Sequence, residues 1–157
     1  MAFFFAYGDR MNEEKMIGEK PNARLVGPGR LGGYRLAFNV ISRAWGGGAA
    51  NAVPDPRGSL WGILWELEEG DLEGLEPINR GGMPNEDRVL NVEVEGPDGV
   101  AVVARTFAVE SREAFVRPTE RYFNMLRATA VMQGMPEEAL QAMDRARETP
   151  AAPAPHI

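Results

Sequence analysis

Residues 60–67, LWGILWEL, are apolar on both faces of an extended chain, so a strand formed here has to be covered on both sides. A central, doubly buried strand is therefore the fixed point around which the rest is read. Upstream, Tyr34, Leu36, Phe38 and Val40 alternate with Arg35, Ala37 and Asn39, the pattern of a strand with one apolar face. Glycines 27, 29, 32 and 33 read as loop punctuation before it. Gly46-Gly47-Gly48 after Trp45 reads either as a bulge or as a close approach of backbone to Trp45 or a ligand. A small-residue run, 49–53, ends in the turn composition PDPRG at 54–58.

Downstream, Leu90, Val92 and Val94 alternate with polar residues, GPDG at 96–99 makes a turn, and residues 100–109 return as the second arm of a hairpin with a solvated face. Asp71 is placed to cap a short helix that turns Leu72 and Leu75 to one side and ends at Pro77. Thr119 caps a longer one carrying Tyr122, Met125, Leu126 and Thr129, which Gly134 closes; Pro136-Glu137-Glu138 opens a last amphipathic helix through Leu140 and Met143. The order predicts a single mixed α and β domain over 1–148, with a disordered Pro/Ala-rich tail at 149–157.

The chain opens with a short apolar run, residues 3–6, that stops at Tyr7-Gly8-Asp9-Arg10-Met11. A strand feeding a tight glycine turn leaves backbone N–H groups unpaired. The segment from Met11 to Met16 is expected to add the positive end of a helix, so the junction forms a candidate cradle for a carboxylate or phosphate.

Other chemistries are disfavoured. Seventeen basic against 23 acidic residues give a net charge of −6, which argues against nucleic acid as a partner. A small anion can still be held by oriented amides, because net charge is screened beyond about 8 Å at physiological salt. No apolar run approaches the roughly 20 residues that cross a bilayer, and no basic leader precedes the phenylalanines, so neither a membrane span nor a secretory signal is expected. Zero cysteines exclude disulfides and thiolate metal sites and suit a cytoplasmic protein. His156, the one histidine, lies in the tail, which disfavours histidine-based catalysis and metal binding. No glycine cluster matches a nucleotide-binding spacing.

Several segments together resemble the gamma-glutamylcyclotransferase-like family: FAYGDRM at 5–11, GGYRLAFNVISRAWGGGAANAVPDPRGSLWGILWEL at 32–67, DLEGLE at 71–76 and PTERYFNMLRATAVMQGMPEEAL at 118–140. The resemblance implies an α+β fold built on a small, barrel-like mixed sheet with flanking helices. It also implies a pocket between the first turn and the loop after DLEGLE. Substrate-binding candidates there are Tyr7, Gly8, Asp9, Arg10, Met11, Asn79 and Arg80. The implied reaction is cyclisation of a γ-glutamyl amine: the α-amine attacks its own γ-carbonyl, an amine leaves and 5-oxoproline remains, with no cofactor consumed.

Two positions depart from the family pattern. Where its opening motif usually reads Tyr-Gly-Ser-Asn, this chain has Asp9 and Arg10. The Asp9 carboxylate would repel a substrate carboxylate, while the Arg10 guanidinium would offset that or grip it; alternatively both face solvent or pair with each other. The family's catalytic glutamate falls on Asn79 or Arg80, neither of them a base. Glu86 and Glu76 are the candidate replacements, with Asp87 flanking the same gap. Three readings stay open at this point: a cyclotransferase with a relocated carboxylate, an inactive relative that binds an amino-acid-like ligand or a protein partner, and a different acyl-transfer or hydrolytic reaction on the same scaffold.

Overall fold

The computed structural model of the protein describes residues 1–77, 87–110 and 113–148. Asn79, Arg80, Glu86 and the tail 149–157 with His156 lie outside the described residues. Among the described residues, five strands close a barrel: β1 (Ala2–Ala6), β2 (Arg24–Ile41), β3 (Gly48–Leu67), β4 (Asp87–Glu95) and β5 (Ala101–Val109), in the spatial order β1-β3-β2-β4-β5. The helices are α1 (Glu13–Glu19), α2 (Glu69–Glu73), α3 (Glu120–Met132) and α4 (Glu137–Glu148). The fold is α+β, and no helix among the described residues is long and apolar enough to cross a membrane.

LWGILWEL is the inner half of β3, flanked by β1 and β2, and Leu60, Ile63, Leu64, Trp65 and Leu67 are all buried. β2 and β3 form one long hairpin, and here the structure corrects the glycine reading. Residues 24–33 are strand, not loop, paired to β3 from Arg24↔Glu66 to Gly32↔Ser59. Gly27 and Gly33, at φ 136° and 84°, stand at breaks in the register. Only glycine takes such angles without strain, so turn-like composition serves here to bend a strand. Residues 54–58 are corrected likewise: they belong to β3, where Pro54 pairs with Tyr34 and residues 55–58 form an excursion opposite the single residue Gly33. Asp55 Oδ1 accepts from Arg57 N–H at 3.1 Å, the local bond that gives an aspartate its turn preference.

A second correction concerns residues 34–40. Ala37 and Asn39, expected on a wet face, are buried. The segment before α3 covers them, with Val116 N–H donating to Phe38 O at 2.8 Å, and α4 packs on β2. Asn39 is satisfied by Asn51, whose amide also takes both main-chain groups of Val109 in β5. One buried side chain thus ties three strands.

β4 and β5 pair from Asp87↔Val109 to Glu95↔Ala101 around the GPDG turn. β5 meets β1 in parallel at a single recorded pair, Phe4↔Arg105. Side chains complete that seam: Thr106 Oγ1 donates to Phe5 O at 2.7 Å, and the Tyr7 hydroxyl donates to Phe107 O.

The helices follow from their caps and faces. Thr119 Oγ1 accepts from Tyr122 N–H, an N-cap worth about 1 kcal/mol, and α3 buries Tyr122, Phe123, Leu126 and Ala130 against the barrel. α4 buries Ala139, Leu140 and Met143. Asp71 does not cap α2. That helix begins at Glu69, with Leu72 N–H bonded to Glu68 O, and so carries Leu72 and Leu75 inward right after β3 ends.

Candidate functional site

β1 delivers Tyr7 and Gly8 to the rim of the barrel, where the chain folds into a 3-10 turn, Asp9–Met11. Met11 N–H donates to Gly8 O at 3.0 Å and Asn12 N–H to Asp9 O at 3.1 Å. As at any helical start, the earlier donors are left over. The N–H groups of Gly8 and Arg10 have no acceptor among the described residues. The α-helix expected straight after the turn instead begins at Glu13, capped by the Asn12 side chain. The donor set is therefore the turn's own amides and not the end of a helix.

A half-open cavity of about 70 Å³ lies over this turn. Tyr7, Gly8, Asp9 and Arg10 of the turn line it, together with Trp45, Ala49, Phe107 and Tyr122 and with Ser42 and Thr106. The Trp45 and Tyr122 rings pack at 5.6 Å, and the Tyr122 hydroxyl accepts from Ala50 N–H at 3.0 Å, which fixes the aromatic wall to β3. Main-chain donors and aromatic rings thus line the same hollow, the usual make-up of a small-molecule site.

Arg10 does not behave as the sequence suggests. Its guanidinium neither reaches over the cavity nor pairs with Asp9; it turns inward, 6% exposed, and gives Nε–H and Nη2–H to the two oxygens of Glu19 at 2.8 and 3.0 Å. Its carbonyl accepts from Trp65 Nε1–H at 2.9 Å. Arg10 is thus an anchor beneath the turn. The physical reason is geometric: a fork-shaped cation next to a buried ring cluster finds a matching carboxylate at the end of α1.

The Arg10 hydrogen bonds hold the Glu19 carboxyl below its usual range, overcoming the opposite push of partial burial, and Lys15 and Lys20 add to the effect. A carboxyl with a lowered folded value stabilises the protein above its unfolded value and loses that contribution as pH falls through the folded one. Wild-type thermal stability is expected to decline as pH drops below about 4.5, and Glu19→Gln should make this acid limb shallower. Glu19→Ala should cost about 2 kcal/mol at pH 7. This is less than the roughly 3–5 kcal/mol of a fully buried pair, because Glu19 keeps 31% of its side chain exposed. Thermal midpoints measured from pH 3 to 7 check both statements.

The other sequence candidates divide. Tyr7, Gly8 and Asp9 line the cavity; Met11 is buried beneath it, with its carbonyl accepting from Gln133 Nε2–H at 3.0 Å, and is not on the lining. Glu76 is exposed and off the lining. Asn79, Arg80 and Glu86 lie outside the described residues. Among the described lining residues, Asp9 is the one carboxylate.

Sequence reasoning missed Phe107, Thr106 and Tyr122 as wall residues, because β5 and α3 meet β1 only through the barrel's closure. Trp45 was flagged by its glycines. Their close approach, however, is to the backbone before α3: a Cβ on Gly47 would stand 2.7 Å from Arg117 O.

A second, wider cleft of about 460 Å³ lies between α4 and the β2–β3 excursion and shares no residue with the first. Arg35, Arg57 and Arg145 line it together with Asp55 and Glu138, a mixture of signs that favours neither anion nor cation.

Residues 59–143 match the model of the AIG2-like family. A human protein named gamma-glutamylcyclotransferase is 25% identical over 148 residues, covering 90% of this chain and 78% of its own. The bovine protein of the same name is 26% identical over 140 residues, covering 86% and 73%. A solved structure of a gamma-glutamyl cyclotransferase superposes with a TM-score of 0.80 at 23% identity, over 91% of this chain and 86% of that one.

Proposed function

The chain belongs to the AIG2-like family, and we propose that it is a cyclotransferase acting on a small γ-glutamyl amine, forming 5-oxoproline and releasing the amine. The observation that carries this reading is the cavity at the end of β1, lined by Gly8 and Arg10, whose N–H groups have no acceptor among the described residues, and by Trp45, Tyr122 and Phe107. The amides suit the substrate's α-carboxylate, and the wall suits the folded methylene chain of the γ-glutamyl group. The names of the human and bovine relatives point the same way.

The reaction is intramolecular. The α-nitrogen bonds to the γ-carbonyl carbon, the γ-amide C–N bond breaks, and the two protons that the α-ammonium sheds in becoming a lactam N–H pass to the departing nitrogen, which leaves as an ammonium. A substrate held bent in a small cavity begins close to that geometry, and orientation of this kind lowers barriers by several kcal/mol. The reaction as written consumes neither water nor cofactor. An absence of membrane helices among the described residues and the lack of cysteine suit a cytoplasmic setting.

The test is direct. The purified chain, incubated with a panel of γ-glutamyl amines and γ-glutamyl dipeptides, should release 5-oxoproline and free amine in equal amounts. The corresponding α-glutamyl compounds should be inert, because their side-chain carboxyl offers no amide bond to break. No 5-oxoproline from any member of the panel would refute the proposal.

A further inference from the structure

We propose that the cleft between α4 and the β2–β3 excursion is a second ligand site, which takes a short peptide with free termini and an apolar middle. It does not depend on the reaction proposed for the first cavity. At about 460 Å³ the cleft falls within the roughly 300–1,000 Å³ of small-molecule sites. Its charges are mixed but not spent on one another. The guanidinium groups of Arg35 and Arg57 and the carboxylate of Glu138 make no hydrogen bond or ion pair among the described residues. A purely anionic ligand would answer the arginines and be repelled by the acids, and a cation the reverse. A ligand with one charge of each sign, held apart, answers both.

The spacing of the lining says how far apart. Glu138, Gln141, Ala142 and Arg145 follow at i, i+3, i+4 and i+7, so α4 presents one face to the cleft, with its acid at one end and its base two turns on. Seven residues of helix rise roughly 10 Å, which is about the reach of three residues of extended chain. A free amino acid is too short to span that face. Between the ends, the Gln141 amide has no partner among the described residues and suits a peptide group, while Trp61 and Phe115 supply apolar surface for the middle side chain. Two buried donors that lack an acceptor among the described residues, Arg35 Nε–H and Trp61 Nε1–H, also belong to lining residues. They are closed to water, so a small turn of either side chain is needed to present them. Peptide carbonyls and a terminal carboxylate are the acceptors they lack.

The experiment titrates the isotope-labelled full chain with the tripeptide alanyl-phenylalanyl-alanine and follows the three tryptophan indole N–H signals, with calorimetry for affinity. The Trp61 signal should move and saturate with a Kd of about 1 mM or tighter, while those of Trp45, at the first cavity, and Trp65, in the core, stay in place. The N-acetylated and C-amidated forms should each bind about tenfold more weakly. Arg57→Gln and Glu138→Gln, both exposed changes that leave the core intact, should each weaken the free peptide by a similar factor. Arg57→Gln should add little to the loss already caused by amidation, and Glu138→Gln little to that caused by acetylation. Glu93→Gln, exposed on β4, should bind as wild type does. No movement of Trp61 up to about 10 mM peptide, equal binding of the blocked forms, or an unchanged Kd in both cleft variants would overturn the proposal. Movement at Trp45 in place of Trp61 would also overturn it, because the peptide would then sit in the first cavity. Release of 5-oxoproline is a separate measurement, so failure here leaves the cyclotransferase reading standing, and failure there leaves this site standing.

Discussion

Asn51→Leu is expected to destabilise the protein by about 4 kcal/mol, a large share of the roughly 5–15 kcal/mol that holds an ordinary domain folded. Asn51 is fully buried, and its amide makes three hydrogen bonds: Nδ2–H to Asn39 Oδ1 at 3.0 Å and to Val109 O at 2.8 Å, and Oδ1 from Val109 N–H at 2.9 Å. Leucine fills nearly the same volume and so isolates the polar term. It removes the side-chain partner of the buried Val109 N–H and of the Val109 carbonyl, each loss costing about 1–3 kcal/mol. Asn51→Asp should be as damaging despite its identical outline, because a carboxylate would face two oxygens that need a donor. Urea unfolding midpoints measure both. Amide exchange at Val109 should quicken in either variant, and a loss below about 1 kcal/mol for Asn51→Leu would show that the network is not what holds these strands.

The second large effect is expected at Gly48. A Cβ there would stand 1.8 Å from Val116 O, a backbone atom that cannot swing aside, and the Gly48 N–H already donates to Arg117 O at 2.9 Å. Gly48→Ala must push β3 away from the segment leading into α3. Forced overpacking of this kind costs about 3 kcal/mol, and the damage is not confined to stability. Trp45 precedes this contact and Tyr122 follows it, so the two rings of the cavity wall would lose their 5.6 Å register. With an active γ-glutamyl substrate, KM should rise several-fold at temperatures where the variant remains folded. The neighbouring change Gly46→Ala meets only the Thr119 methyl at 3.9 Å. It should instead be limited by backbone strain at φ 71°, about 1 kcal/mol, and the difference between the two separates collision from conformation.

The parts of the fold that were legible in the sequence are those whose signals are local. The hairpin about residues 96–99 follows from alternation on both arms and a four-residue turn, and α3 from Thr119 at one end and Gly134 at the other. LWGILWEL announced its burial because no arrangement leaves both faces wet. Residues 27–33 and 54–58 misled for a definite reason: glycine and proline mark bends, and only pairing across 30 residues shows whether a bend lies between strands or within one. Asn39 looked like a solvent-facing residue because its partner, Asn51, arrives from the next strand.

The site was legible in the same uneven way. Residues 7–10 could be placed at a strand end from the first ten residues alone, since a turn there leaves amides over. Arg10's partner could not, because Glu19 meets it only once α1 has folded back. Phe107 and Tyr122 join the cavity through closure of the barrel, a relation between chain segments about a hundred residues apart that no spacing encodes.

That closure has a dynamic consequence. The seam between β1 and β5 is a clasp with little main-chain ladder of its own, fastened by hydroxyls of Tyr7 and Thr106, and both of these residues, with Phe107, border the cavity. Breathing of the ring at its weakest joint and occupation of the hollow therefore compete for the same atoms. A molecule seated there works as a rivet, lifting the melting temperature in proportion to the logarithm of its concentration and slowing deuterium uptake along β5 before any other strand.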